Sequence, residues 1–319
     1  MPNVAPEKIA ESYRYCREVA RREAKNFFYG FLLLPRAKRD ALCALYAFMR
    51  GVDDIADNPA RLDEKKSGLA KRREEMDAVL RGEHRAEAVW PAFCDTMERY
   101  SIPPRVLHDL ISGAEMDQTP RVYETFDDLR QYCYCVAGTV GLACLHVFGF
   151  SDPRAPELAE ELGIAFQLTN ILRDVASDLE MDRVYLPRED MLRFGAKESD
   201  LRAHRFTDQW RAVLEFQSER AWQFYAEGWP LIRLVDRDSR AALWALAEIY
   251  LGILEHSATN LASRDCEVFS APVARLSTAR KLWILATARF QWNGEVNVLR
   301  IGNRDGRRTG GSLVGGRAG

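Results

Sequence analysis

Residues 155–182 read APELAEELGIAFQLTNILRDVASDLEMD. The segment carries the three-to-four-residue apolar repeat of a helix and turns polar only in its last three turns. At about 100° per residue, Gln167, Asn170, Asp174 and Asp178 fall on one stripe. The other positions of that helix include Ile164, Phe166, Leu168, Ile171 and Leu172. Asp174 and Asp178 are like charges one turn apart, which costs helix stability unless something compensates them.

A second segment has the same form. Residues 39–57, RDALCALYAFMRGVDDIAD, place Tyr46, Arg50, Asp53, Asp54 and Asp57 within an arc of about 100° at the end of an apolar run. The helix stops at Asn58-Pro59. Alone, DDIAD also fits a solvated acidic helix end. Two such stripes, each after a buried-looking run and each beside an arginine, point instead to a site. Hard divalent cations are the natural compensation, because Mg²⁺ uses few carboxylates and takes its remaining ligands from water and phosphates. Arg50 and Arg173 add positive charge for phosphate oxygens. A di-iron centre would need a Glu three residues before a His, and none of the five histidines has one.

Outward from these segments, helical periodicity dominates. It marks residues 10–27, 60–82, 101–117, 125–150, 207–228, 239–262 and 277–300. Thr125 suits an N-cap, and the helix it opens is almost wholly apolar from Val136, as befits a helix inside a bundle. LPREDMLRFGA, residues 186–196, breaks the pattern. There is no period-two strand, GxGxxG, Walker loop or repeat. The expected fold is all-α: one domain of about ten helices over residues 1–300, with a Gly- and Arg-rich disordered tail at 301–319.

Composition narrows the function. A net charge of −2 gives no basic excess for nucleic acid. The seven cysteines, at 16, 43, 94, 133, 135, 144 and 266, include no CxxC pair and suit a reducing cytoplasm. Cys133 and Cys135 read as packing residues rather than zinc ligands. No signal-peptide h-region is evident at the N-terminus. The most apolar stretch, residues 136–150, falls short of the ~20 residues that span a bilayer. The expectation is a cytoplasmic protein with at most peripheral contact at the inner membrane face.

Five pieces then carry a resemblance: NFFYGFLLLP, ALYAFMRGVDDIAD, YCYCVAGTVGL, GIAFQLTNILRDVASDLEMDRVYLPRED and FQSERAW. In order and spacing, across roughly residues 12–290, the chain resembles the squalene/phytoene synthase family of head-to-head trans-prenyltransferases. The resemblance implies an isoprenoid synthase helical bundle with a central cavity. It implies that Asp53, Asp54 and Asp57, and Asp174 and Asp178 with Asn170 and Gln167 beside them, bind diphosphate through Mg²⁺, with Mn²⁺ as a substitute. Arg50 and Tyr46 match residues lining the diphosphate site, and Tyr132 matches a tyrosine near the reacting carbons. Val136, Ala137, Val140 and Gly141 match the wall along the prenyl chains. Phe27 and Phe31 match aromatics near the substrate, and Arg183 and Tyr185 match the end of the second motif. Relatives often have serine where this chain has Ala24 and Asn26, leaving Asn26 or Lys25 to serve. They also often have an arginine near Val273, for which Arg275 and Lys281 are the substitutes here.

The implied reaction joins two allylic prenyl diphosphates through a cyclopropylcarbinyl diphosphate, as a Mg²⁺-dependent prenyltransferase of the farnesyl-diphosphate farnesyltransferase type. The texture of LISGAEMD and YCYCVAGTVGLACLHVFGF is most like bacterial presqualene diphosphate synthases of hopanoid pathways. The expected reaction is therefore two farnesyl diphosphates to presqualene diphosphate. The alternatives are a phytoene synthase acting on geranylgeranyl diphosphate, or a squalene or dehydrosqualene synthase, with NADPH needed only for squalene. Partners are two prenyl diphosphates and, further off, pathway enzymes. A terpene cyclase would usually carry an NDxxSxxxE-type second motif where this chain has RDVASD, and an assembly factor would have lost aspartates that are all present.

Overall fold

The computed structural model describes residues 4–24, 27–119, 121–262 and 276–291. Lys25, Asn26, Arg275 and the expected tail at 301–319 lie outside these residues. The described chain forms α1 (Pro6–Glu23), α2 (Phe27–Phe31), α3 (Arg36–Ala56), α4 (Leu62–Leu80), α5 (Trp90–Arg99), α6 (Pro104–Met116) and α7 (Phe126–Cys133). A π-helical turn (Tyr134–Gly138) leads into α8 (Thr139–Phe148) and then α9 (Ala155–Glu180). After these come α10 (Arg188–Phe194), α11 (Glu198–Arg202), α12 (Asp208–Gly228), α13 (Leu231–Leu234), α14 (Arg240–Ala262) and α15 (Thr278–Gln291). No strand occurs among the described residues. The helices outnumber the ten expected because α2, α10, α11 and α13 are each seven residues or fewer, too short for periodicity to mark. LPREDMLRFGA contains α10, which ends on Gly195 in the left-handed conformation.

The bundle is organised around α9, which packs against α7, α8, α12, α13, α14 and the π-turn. Its apolar positions, Leu162, Ile164, Ala165, Leu168, Ile171 and Leu172, are buried. The close crossing with the π-turn and α8 depends on two glycines. A Cβ on Gly141 would stand 2.5 Å from the carbonyl oxygen of Ala159, and one on Gly163 would stand 2.6 Å from that of Ala137. Only hydrogen in place of a side chain allows the two backbones to lie this near.

Thr125 caps α7 as expected: its side chain accepts from the Asp128 N–H, and the Asp128 carboxylate accepts from the Thr125 N–H in return. From there helix runs without a break to Phe148, 23 residues in all, close to the expected 125–150 and longer than its most apolar stretch. By length and composition alone that run could cross a membrane. Here it packs against α6 and α9 in the middle of the fold, with Leu129, Cys133, Ala143, Leu145 and Val147 buried. The π-turn, in which the Thr139 N–H bonds the Tyr134 carbonyl, stretches its local repeat beyond the α value. Tyr132, Val136 with Ala137, and Val140 with Gly141 recur at four-to-five-residue spacing and line one cavity.

Candidate active site

That cavity, of about 460 Å³, lies between α2, α3, the α7–α8 run, α9 and α14. Phe148, Leu231, Leu243 and Leu246 make an apolar far wall, while Asp53, Asp57, Asp117, Asp174 and Asp178 give its other lining negative charge. Phe27, Phe31, Tyr46, Tyr132, Val136, Ala137, Val140, Gly141, Gln167, Asn170, Arg173, Arg183 and Tyr185 also line it. Two residues of the first acid motif do not. Arg50 and Asp54 line a separate groove with Arg22, Lys65 and Arg72, where Arg50 pairs with Asp54 at 2.6 Å. The arc that held all five residues on the ideal wheel straddles the cavity wall. Asp53 and Asp57 fall on one side of it, and Asp54 and Arg50 on the other.

Both acid clusters sit toward helix C-termini. Asp53 is in the last turn of α3, with Asp57 as its C-cap, and Asp178 is in the last turn of α9. Neither last turn holds a basic residue, so the negative end of each helix dipole adds to the carboxylates. Asp53 is open to water on its cavity side yet ringed by protein elsewhere. This partial desolvation, with repulsion from Asp57, pushes its carboxyl up to about 7. Asp178 is pushed up to about 7 by burial and then by Asp174. Asp117 adds negative charge to both.

The donors beside the two clusters suit a hard cation: carboxylate oxygens and the amides of Gln167 and Asn170, with no imidazole in the lining. The Asn170 Oδ1 is buried without a hydrogen-bond partner, while its Nδ2 donates to Gln167 Oε1 at 3.3 Å. Among the described residues no three acidic, His or Cys side chains converge closely enough to hold an ion alone. Arg173 is clamped on Asp174 inside the cavity, its Nε donating to Oδ1 at 2.8 Å.

Three residues of the site were not anticipated. Asp117 caps α6 and accepts from Tyr132 Oη at 3.0 Å and from Tyr185 Oη at 2.9 Å, and the Arg183 guanidinium donates to its backbone carbonyl at 3.2 Å. Burial lifts the Asp117 carboxyl, and the two hydroxyls and the Arg183 charge hold that rise in check. Tyr132 and Tyr185 stack at 5.1 Å. Burial and the Asp117 charge raise the Tyr132 phenol well above its ordinary range, so it is a hydrogen-bond donor and not a base. On the opposite wall Tyr250 stacks on Phe166 at 4.4 Å and meets Phe27 at 5.3 Å. Asp117 belongs to no motif of its own; its one signal is a carboxylate at the end of the apolar helix LISGAEMD. Phe166 lies within GIAFQLTN, beside Gln167, but reads there as one more apolar position, and Tyr250 has no signal, since it lies in an apolar helix. Lys281, a candidate for the basic contacts, lies over the ring of Tyr29 at 5.5 Å and does not line the cavity.

An all-α bundle enclosing an apolar cavity, with two acid clusters set into its lining, defines a protein of the isoprenoid synthase class. Comparison narrows the class: the squalene/phytoene synthase family model matches residues 10–279, and the chain belongs to that family of prenyltransferases. The 15-cis-phytoene synthase of Synechococcus elongatus is 37% identical over 266 residues, covering 80% of this chain and 86% of the relative. The phytoene synthase of Mycobacterium tuberculosis is 38% identical over 246 residues, covering 76% and 80%. Among solved structures, a dehydrosqualene synthase in complex with ligand superposes with a TM-score of 0.80 at 30% identity, covering 89% of this chain and 97% of that one. Squalene synthase HpnC from Alicyclobacillus acidocaldarius gives 0.74 at 31% identity, covering 79% and 94%.

Proposed function

We propose that the protein joins two molecules of geranylgeranyl diphosphate head to head and releases phytoene. The carrying observation is the cavity itself, which combines carboxylates from both motifs with a continuous apolar wall. Relatives named phytoene synthase at 37–38% identity support the C20 substrate over the C15 substrate that local texture suggested. Mg²⁺ held by Asp53, Asp57, Asn170, Asp174 and Asp178 would neutralise charge growing on a departing diphosphate.

The remaining work falls to side chains. Arg173 and Arg183 add positive charge along the same lining. The apolar wall excludes water from allylic cations. The faces of Tyr132, Phe27 and Tyr46 offer electrostatic stabilisation to those cations. Formation of phytoene from two diphosphates requires only the loss of diphosphates and protons, so no reductant enters this reading. Structural neighbours named squalene and dehydrosqualene synthase support a second reading, two farnesyl diphosphates to presqualene diphosphate or onward. The deciding experiment is mass-spectrometric product analysis with C15 and C20 substrates and Mg²⁺, with and without NADPH. A C40 product independent of NADPH is expected; C30 products alone would overturn the reading.

The reading includes a cytoplasmic enzyme touching the membrane peripherally to trade apolar substrate and product. Leu282, Trp283 and Phe290 are exposed on α15, which also carries Arg280 and Arg289, and this supports contact with an anionic lipid surface.

A further inference from the structure

Behind Asp117, Arg183 and Tyr185 lies a second hollow of about 310 Å³, and these three residues line both spaces. Lys65, Arg121 and Arg183 face it. The hollow also contains two acids, but both are engaged. Asp117 accepts from two tyrosines, and Asp182 pairs with Arg202 at 2.6 Å. None of the three cations forms an ion pair with a carboxylate of the described residues. The neighbouring groove differs, because its arginines are neutralised: Arg22 by Glu23 at 2.6 Å, Arg50 by Asp54 at 2.6 Å and Arg72 by Glu87 at 2.8 Å. Arg121 is seated over the Tyr123 ring at 5.8 Å, and Tyr123 packs on Tyr132 and Tyr185. Three cations around one small hollow, none held in an ion pair among the described residues, attract an anion, and charge-assisted hydrogen bonds to phosphate oxygens are the strongest they can make.

We propose that this hollow is a vestibule for a diphosphate group, held by Lys65, Arg121 and Arg183, and that it takes the inorganic diphosphate released in the cavity. Its volume is on the order of ten waters, enough for a diphosphate and ordered solvent. Arg183, facing both spaces, would hand the anion across the partition. The choice of diphosphate rests on the prenyltransferase reading, so the test reads binding apart from turnover.

Inorganic diphosphate is titrated calorimetrically into the full chain in EDTA, where the metal-free acid clusters repel it. The Lys65→Gln/Arg121→Gln variant should bind at least tenfold more weakly than the wild type, with an unchanged melting temperature and single-turnover rate. Each single variant should lose part of that affinity. Arg50→Gln, in the neutralised groove, should bind as the wild type does. Geranylgeranyl thiodiphosphate separates the two sources of the group. Unchanged affinity for it assigns the vestibule to released diphosphate, and an equal loss assigns it to the diphosphate head of the substrate. Equal diphosphate binding by wild type and double variant, or an equal loss in Arg50→Gln, overturns the proposal. Absence of turnover with every prenyl diphosphate would overturn the prenyltransferase reading instead, whatever the titration shows.

Discussion

The two acid clusters look alike in sequence and behave differently in the fold. Each follows an apolar helix, each spaces its aspartates by about a turn, and each has an arginine alongside. On α9 the arginine and both aspartates line the cavity. On α3 the wall divides the motif, leaving Arg50 and Asp54 paired in the outer groove and Asp53 and Asp57 inside. Helical spacing says which residues are neighbours; the packing of other helices decides which of those neighbours share a solvent space.

The largest expected effect breaks this comparison directly. Asp53→Asn, Asp174→Asn and Asp178→Asn should each lower kcat by about 10²–10³-fold, the scale seen when one preorganised charge-stabilising group is removed. Asp54→Asn should cost about tenfold or less, because its carboxylate faces the groove and its loss only frees Arg50. Steady-state kinetics with saturating Mg²⁺ would show the split. An Asp54 effect equal to that of Asp53 would mean that the two faces of α3 act as one site.

Next in size is the crossing that brings the clusters together. Gly163→Ala or Gly141→Ala forces a methyl to within 2.6 or 2.5 Å of a carbonyl oxygen on the facing helix. Overpacking of this kind costs about 1–3 kcal/mol, read as a lower denaturation midpoint. The displaced α7–α8 run should also lower activity. Gly195→Ala is the control: it has open space around it, and its cost comes from its positive φ of 68° alone.

These differences mark where the sequence was legible. The bundle could be read because apolar residues at helical spacing recur in every long segment, and Gln167 to Asp178 formed a stripe because α9 is regular throughout. Asp117 could not be read that way. It becomes part of the site only when the end of α6 meets Tyr132 from α7 and Tyr185 from the chain after α9, three segments far apart in sequence. Tyr250 was hidden for another reason: in a helix as apolar as α14, a cavity-facing tyrosine and a core tyrosine have the same sequence signature. The partition of Arg50 from Asp53 depends on walls contributed by other elements, which no single-helix wheel contains.

The smallest expected effect concerns charge and pH. Asp53 and Asp178 hold their protons up to about 7 in the folded chain, above the ordinary carboxylate value of 3.8. Between those values the metal-free folded state binds more protons than the unfolded state, so stability falls as pH rises through that window. Because Asp53 reaches water on its cavity side, solvent screening keeps its share below what full burial would give. The metal-free melting temperature should therefore decline from about pH 4 to about pH 7, and Asp53→Asn should flatten that decline. Mg²⁺ should raise the melting temperature more at the upper end, where it need not displace protons. The α9 cluster should respond more than the α3 cluster, since Asp178 is the less exposed of the two and has Asp174 one turn away on the same lining. A flatter decline in Asp53→Asn than in Asp178→Asn would reverse that ranking and place the stronger repulsion at the end of α3.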